Sequence, residues 1–370
     1  MQTVVHTLLP AMPGATHTLT SLHFGTPGIG PKVFVQASLH ADEAPGMLVA
    51  HHLRQRLTAL EAEGRLRGEV VLVPAANPLG LGQWLLRSHI GRFDLASGEN
   101  FNRGYRDLSD AAFAAVNGRL GDDTAANVAL VRTALRDAAA ALPAASLLEH
   151  LRRTLYTLAI DADLVLDLHC DGEALLHFYT TPGCWPQFEP LARCMGARVT
   201  LLAEQSGGEP LDEACSMPWP KLAAHTGTSL PQACAAVTIE LRGEGDVDPL
   251  LARDDALAIE RYLVHRGVVD GDAGALLPLP AAPTPLAGSM PLVAPHGGVI
   301  VFHRHPGDAV KAGDLIAELL DPFAGTLTPI VSPVDGLFFA RENRRVAVAG
   351  MSIGKVAGAE ARRSGSLLSP

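Results

Sequence analysis

His40, Ala41, Asp42 and Glu43 follow directly on the apolar run Val33 to Leu39. A histidine and a glutamate three positions apart across a strand-to-helix turn can converge on one point. Ligands in open α/β sheets bind just beyond the carboxyl ends of strands, which is where this turn falls. A second apolar run, Leu164 to Leu168, ends in His169. Two imidazoles and one carboxylate make a His₂Glu set, a donor combination that holds catalytic zinc and leaves a fourth position for water. One Zn²⁺ per chain, held by His40, Glu43 and His169, is therefore the expectation. A lone H-x-x-E is otherwise an ordinary helix start, and the second strand-terminal histidine is what favours a metal.

Glu240 lies within the apolar strand pattern Ala236 to Leu241. A carboxylate there is costly to bury unless it is paired or has a task. Burial would raise its pKa toward neutrality, as a general base requires; the alternative is a salt bridge to Arg242. Asn102 and Arg103 sit in a stretch rich in glycine and arginine. A guanidinium grips a carboxylate through two parallel hydrogen bonds, and a neighbouring amide adds a donor. Arg92 is a second fixed cation in that stretch, whereas Arg87 and Arg106 read as surface residues. Asp167 alternates with His169 and shares its face of the strand, so it either orients the histidine or closes the strand in a polar end. His303 and His305 read as a solvent-facing pair, and His51, His52, His177, His225 and His265 as structural.

The elements that must position these residues follow from hydrophobic periodicity. Val33 to Leu39, Glu69 to Pro74, Leu164 to His169 and Ala236 to Leu241 read as strands. Pro45 to Ala62, Asp122 to Ile160 and Pro249 to Arg266 read as helical, and Asn77 to Tyr105 as a long loop. This alternation predicts an α/β fold, a mainly parallel mixed sheet flanked by helices, over residues 1–275. Residues 276–288 hold Pro278, Pro280, Pro283 and Pro285, which reads as a linker outside any central strand. Residues 289–370 change to short apolar runs punctuated by Gly, Pro and Asp, the pattern of a smaller all-β domain. Ala294 to Ile300 returns as Ser332 to Phe338, which suggests a small pseudo-symmetric barrel.

Composition narrows the function. With 370 residues, 48% hydrophobic and 18% charged, the chain can bury a sizeable core. Its net charge of −10, with four lysines, argues against a nucleic-acid partner. No apolar run is long enough for a membrane span, and the start lacks the pattern of a signal peptide. The five cysteines form no C-x-x-C pair and read as small buried hydrophobes, so a cytoplasmic location is expected.

These residues together resemble the aspartoacylase/succinylglutamate desuccinylase family, relatives of the zinc carboxypeptidases. The likeness runs in order through His40-Ala41-Asp42-Glu43, Asn77-Pro78, Asn102-Arg103, Asp167-Leu168-His169 and Thr238-Ile239-Glu240. It implies a zinc carboxypeptidase-like fold, with zinc on His40, Glu43 and His169 and Glu240 as general base. Asn102 and Arg103 would hold a substrate carboxylate, and Arg92 would polarise the scissile carbonyl. The implied activity is deacylation of a small N-acylated amino acid. Two departures stand out: Ala41 replaces the family's usual Gly, and Asn100-Phe101 stands where the family has Asp-Leu. The C-terminal part looks like a biotinyl/lipoyl-type barrel through His305 to Asp314. No lysine lies between Lys311 and Lys355, so no carrier role is expected; the domain would be a structural cover or a homo-oligomer contact. Three other functions stay open. They are a zinc carboxypeptidase on peptides, a deacetylase of an N-acetyl diamino acid with Glu173, Glu244 or Asp246 lining its pocket, and a non-catalytic binding protein.

Overall fold

A computed structural model describes residues 1–9 and 13–368. Nine strands form its large sheet: β1 (Gln2–Thr7), β2 (Thr18–Gly25), β3 (Lys32–Ala37), β4 (Glu69–Val73), β5 (Leu164–Asp171), β6 (His177–Thr180), β7 (Val199–Leu202), β8 (Ala235–Gly243) and β9 (Thr284–Pro285). Their spatial order is β1-β2-β4-β3-β5-β8-β6-β7-β9. The four central strands, β4, β3, β5 and β8, run parallel, and antiparallel pairing enters at β2 and at β6.

The central strands read as continuous apolar runs because both faces are covered. Val33, Val35 and Ala37 face a core shared with the helices Pro45–Ala62, Trp185–Met195 and Pro249–His265. Phe34, one residue out of phase, faces a second core with the helices Ser109–Val116, Thr124–Ala140 and Leu147–Ala159. Each fully buried Val, Leu or Phe contributes roughly 1.5–3 kcal/mol, so the parallel strands are held from both sides and their ends are fixed. The alanine-rich stretch expected to be helical is two helices, because Ser146 and Glu149 form a capping box that restarts the chain after Pro143.

The structure corrects the sequence reading in two places. The loop from Asn77 to Tyr105 contains a one-turn helix, Pro78–Leu81, and a short hairpin, Trp84–Leu85 with Ser88–His89. The proline-rich linker ends as β9, which pairs in parallel with β7. Proline is tolerated there because β9 is the sheet's last strand and needs only one ladder of hydrogen bonds.

From Ser289 onward the chain forms two small all-β sheets around their own core of Ile300, Val310, Ile316, Leu319, Phe338 and Ile353. The repeated segments put one strand in each sheet, Gly298–Phe302 and Gly336–Arg341. Glu173–Ala174, just after β5, pairs antiparallel with Gly336–Arg341, so the first part of the chain supplies a strand to the second. Tyr179, Leu201, Leu286 and Phe339 pack together across the same junction. No helix among the described residues is long and apolar enough to cross a membrane.

Candidate metal centre and catalytic chamber

The strand β3 stops at Ala37, and Ser38 turns the chain with φ at 63°. The turn is held from three sides. Asn77 Nδ2 donates to Leu39 O at 2.9 Å, Ala41 N donates to Gly91 O at 2.9 Å, and Glu43 N donates to His40 O at 3.1 Å. Pro45 then opens the helix, its missing N–H costing nothing at that position. Ala41 is fully buried, and a methyl group at Gly80 would lie 2.8 Å from its Cβ. The bare glycine at position 80 makes room for the Ala41 methyl.

His40, Glu43 and His169 are buried, and their donor atoms all lie within 4.8 Å of one another. His40 Nδ1 is 2.8 Å from Glu43 Oε1, and His169 Nδ1 is 2.8 Å from Glu43 Oε2. The outward nitrogens have their own partners: His40 Nε2 is 2.8 Å from Asn100 Oδ1, and His169 Nε2 is 3.1 Å from Asp167 Oδ2. Asn102 Nδ2 also comes within 3.3 Å of His169 Nε2. Second partners of this kind fix ring orientation and leave each Nδ1 to face the centre, an arrangement that fits a divalent metal. Gln36 Nε2 donates to Asp167 Oδ1 at 2.9 Å and anchors this support. Burial opposes ionisation of Glu43, yet the two imidazoles outweigh it and hold its carboxyl well below the usual range. Burial lowers the His40 pKa, aided by Arg92; at His169 burial also lowers, but Asp167 and Glu43 prevail and raise it well above the ordinary value.

Glu240 stands beside His169, its register partner on the neighbouring strand. Its Oε2 is buried with no hydrogen-bond partner among the described residues. Burial, reinforced by Glu43, pushes its carboxyl up to about 8. Arg242, the salt-bridge alternative, pairs instead with Asp255 at 2.8 Å. Arg92 Nη1 donates to Glu43 Oε1 at 3.0 Å. Asn102 is buried, its Oδ1 accepting from Leu211 N at 3.0 Å, and Arg103 Nη1 donates to Asn102 O at 2.7 Å.

His40, His169, Glu240, Arg92, Asn102 and Arg103 line one chamber of about 830 Å³, mouth included. Residues to which no role attached in the sequence line it as well: Asp171, Asp212, Glu213 and Lys355. Lys355, on a strand of the C-terminal sheets, reaches in to place Nζ 2.5 Å from Asp171 Oδ2. No local pattern flags it, since its role depends on two segments 184 positions apart. The acids proposed as markers of a diamino substrate lie elsewhere. Glu173 pairs with Arg341 and Arg345, Asp246 accepts from Gly243 N, and Glu244 borders an outer cleft. His303 is half-exposed and 2.8 Å from Glu318.

Residues 29–266 match the model of the succinylglutamate desuccinylase/aspartoacylase catalytic domain. The chain belongs to this family. It is similar, at 28% identity and a TM-score of 0.83, to a solved family protein from Shewanella amazonensis SB2B, over 96% of this chain and 98% of that one. A second, from Shewanella frigidimarina NCIMB 400, is 26% identical over 96% and 97%, with a TM-score of 0.82. The ectoine utilization protein EutE (DoeB) from Ruegeria pomeroyi shares the fold at 16% identity over 97% and 95%, with a TM-score of 0.69. Among curated protein sequences none matches the chain. Membership of a deacylase family makes the chain a hydrolase by kinship, with a His-Glu-His cluster suited to a metal.

Proposed function

We propose that this protein is a zinc-dependent amidohydrolase that removes the acyl group from a small N-acylated amino acid. The observation that carries the reading is the buried His40-Glu43-His169 cluster with Glu240 in register beside it. Zinc bound there would lower the pKa of a water toward 7 and polarise a carbonyl. Glu240 takes the proton of the attacking water and returns it to the departing amine; a cation beside it works against the upward shift that burial causes. Arg92 donates to the oxygen on which negative charge develops, once it turns from Glu43. Arg103 and Asn102 hold the substrate carboxylate, which places the amide over Glu240. The C-terminal sheets wall the chamber through Lys355 and Leu286 lies at their junction, which suits a small substrate better than a peptide. A reducing cytoplasm suits the five free cysteines.

Metal analysis of the purified protein, joined to a hydrolysis screen of N-acetyl and N-succinyl amino acids, tests this. One zinc per chain and zinc-dependent amine release are expected. Zinc binding without hydrolysis of any member, or hydrolysis that survives complete metal removal, would overturn the reading.

A further inference from the structure

One of the two C-terminal sheets runs Thr326–Val331, Leu315–Asp321, Gly298–Phe302 and Val346–Ala347 in spatial order. Ile300, Leu319 and Ile330 point inward to the small core. Their neighbours along the strands point outward, and these are apolar too. Val346, Val299, Leu320 and Leu327 stand in register, a row that crosses all four strands. In the next row Val301 and Pro329 flank Glu318, and beyond it Leu315 lies opposite Val331. Glu318 is the one charged residue in these rows, and His303 Nε2 lies 2.8 Å from its carboxylate. An antiparallel sheet with one face in water normally alternates apolar and polar residues along each strand, and this sheet does not. Val346 is 67% exposed and Leu327 52%, so nothing among the described residues covers the outer rows.

The internal repeat shows what such a face is for. Under the repeat that relates residues 294–300 to 332–338, Val299 corresponds to Leu337, and Val301, one step past its end, to Phe339. Leu337 and Phe339 belong to the other small sheet and pack with Tyr179 and Leu201 of the large sheet. One small sheet thus has its outer face covered by the first part of the chain, while the equivalent face of the other is bare.

A second copy of the chain fits that face. With Val348 and the fully exposed Phe323 at its margins, it offers roughly 800 Å², about what each partner brings to a standard interface. A chain of net charge −10 repels its own copies, and a face with a single, already partnered carboxylate is where that repulsion is least. An apolar sheet face is also its own complement, since a two-fold axis within the interface lays apolar rows on apolar rows.

We propose that two copies of this protein associate through the outer face of this sheet, sheet on sheet. The inference stands apart from the deacylase reading.

Sedimentation equilibrium of the full chain tests it. A dimer is expected at micromolar concentration. Val299→Asp and, separately, Leu327→Glu should each weaken association by about 100-fold or more, because each places two unpaired carboxylates in the closed interface. Circular dichroism and thermal unfolding check that each variant folds. If one does not, Val346→Lys, at the most exposed position of the row, takes its place. Leu250→Asp puts the same charge on a residue 60% exposed on the helix Pro249–His265 and should leave the dimer intact. A larger assembly counts in favour only if both sheet variants reduce it. A wild-type chain that stays monomeric throughout the micromolar range overturns the inference. So does a dimer that both sheet variants leave unchanged, or one that Leu250→Asp dissolves in their place.

Discussion

Glu43 is held on both oxygens: Arg92 Nη1 donates to Oε1, with His40 Nδ1 2.8 Å away, and Cys170 N donates to Oε2, with His169 Nδ1 2.8 Å away. A carboxylate so surrounded is locked in place, which leaves Glu240, with its unpartnered oxygen, as the acid free to move a proton. Glu240→Gln is therefore expected to keep zinc stoichiometry and lose about 10²- to 10⁴-fold in turnover; metal analysis beside a rate assay checks both halves. Asp167→Asn should act on the metal instead. It weakens the support of His169, and a loss of roughly 10- to 100-fold in zinc affinity is expected in a chelator competition. His40, His169 and Glu240 are legible in sequence because each lies in or directly after an apolar run. Asp212, Glu213 and Lys355 are not, since their part in the chamber depends on neighbours from distant segments, as with Lys355 and Asp171, 184 positions apart.

At the scale of elements, the turn that carries His40 and Glu43 depends on close contact with the segment before Arg92. A Cβ at Gly91 would sit 2.1 Å from Asp42 N and 2.7 Å from Ala41 C, so backbone would have to give way. Gly91→Ala is expected to cost roughly 1–3 kcal/mol, as overpacking does, and to lower zinc content together with Arg92 function. Thermal unfolding and metal content should move together; a stable variant with full zinc would refute the argument. The central strands and the helix Pro45–Ala62 are readable from sequence because both faces of the sheet are buried and periodicity is strong. The Trp84–His89 hairpin is not: its turn is built from Leu86 and Arg87, both at positive φ, without the glycine or asparagine that normally announces such a turn. β9 escapes for the opposite reason, since prolines announce a linker whether or not its end joins a sheet edge.

For the molecule as a whole, the junction between the large sheet and the C-terminal sheets is both the chamber wall and a weak point toward acid. His177 is buried edge-on against Tyr179 and Phe339, with Nδ1 2.8 Å from Leu175 O and Nε2 without a partner among the described residues. Burial lowers its pKa to about 4 from an ordinary 6.5. The unfolded chain thus binds a proton here more readily than the folded one, and stability falls as pH drops from about 6.5 to about 4. Below that window both states are protonated and the loss stays constant at roughly 3 kcal/mol, from 1.36 kcal/mol per pKa unit. Denaturant unfolding at several pH values should show the slope, and His177→Gln should flatten it. An equally steep acid limb in that variant would assign the effect to other groups.

The crossing of Glu173–Ala174 into the C-terminal sheets means that the seam between the two bodies of the molecule matches no single point along the polypeptide. Leu277, in the stretch before β9, is half-exposed and offers a protease a place to cut. A nick there would sever the chain yet release nothing: both fragments would travel as one peak in gel filtration and part only in denaturant.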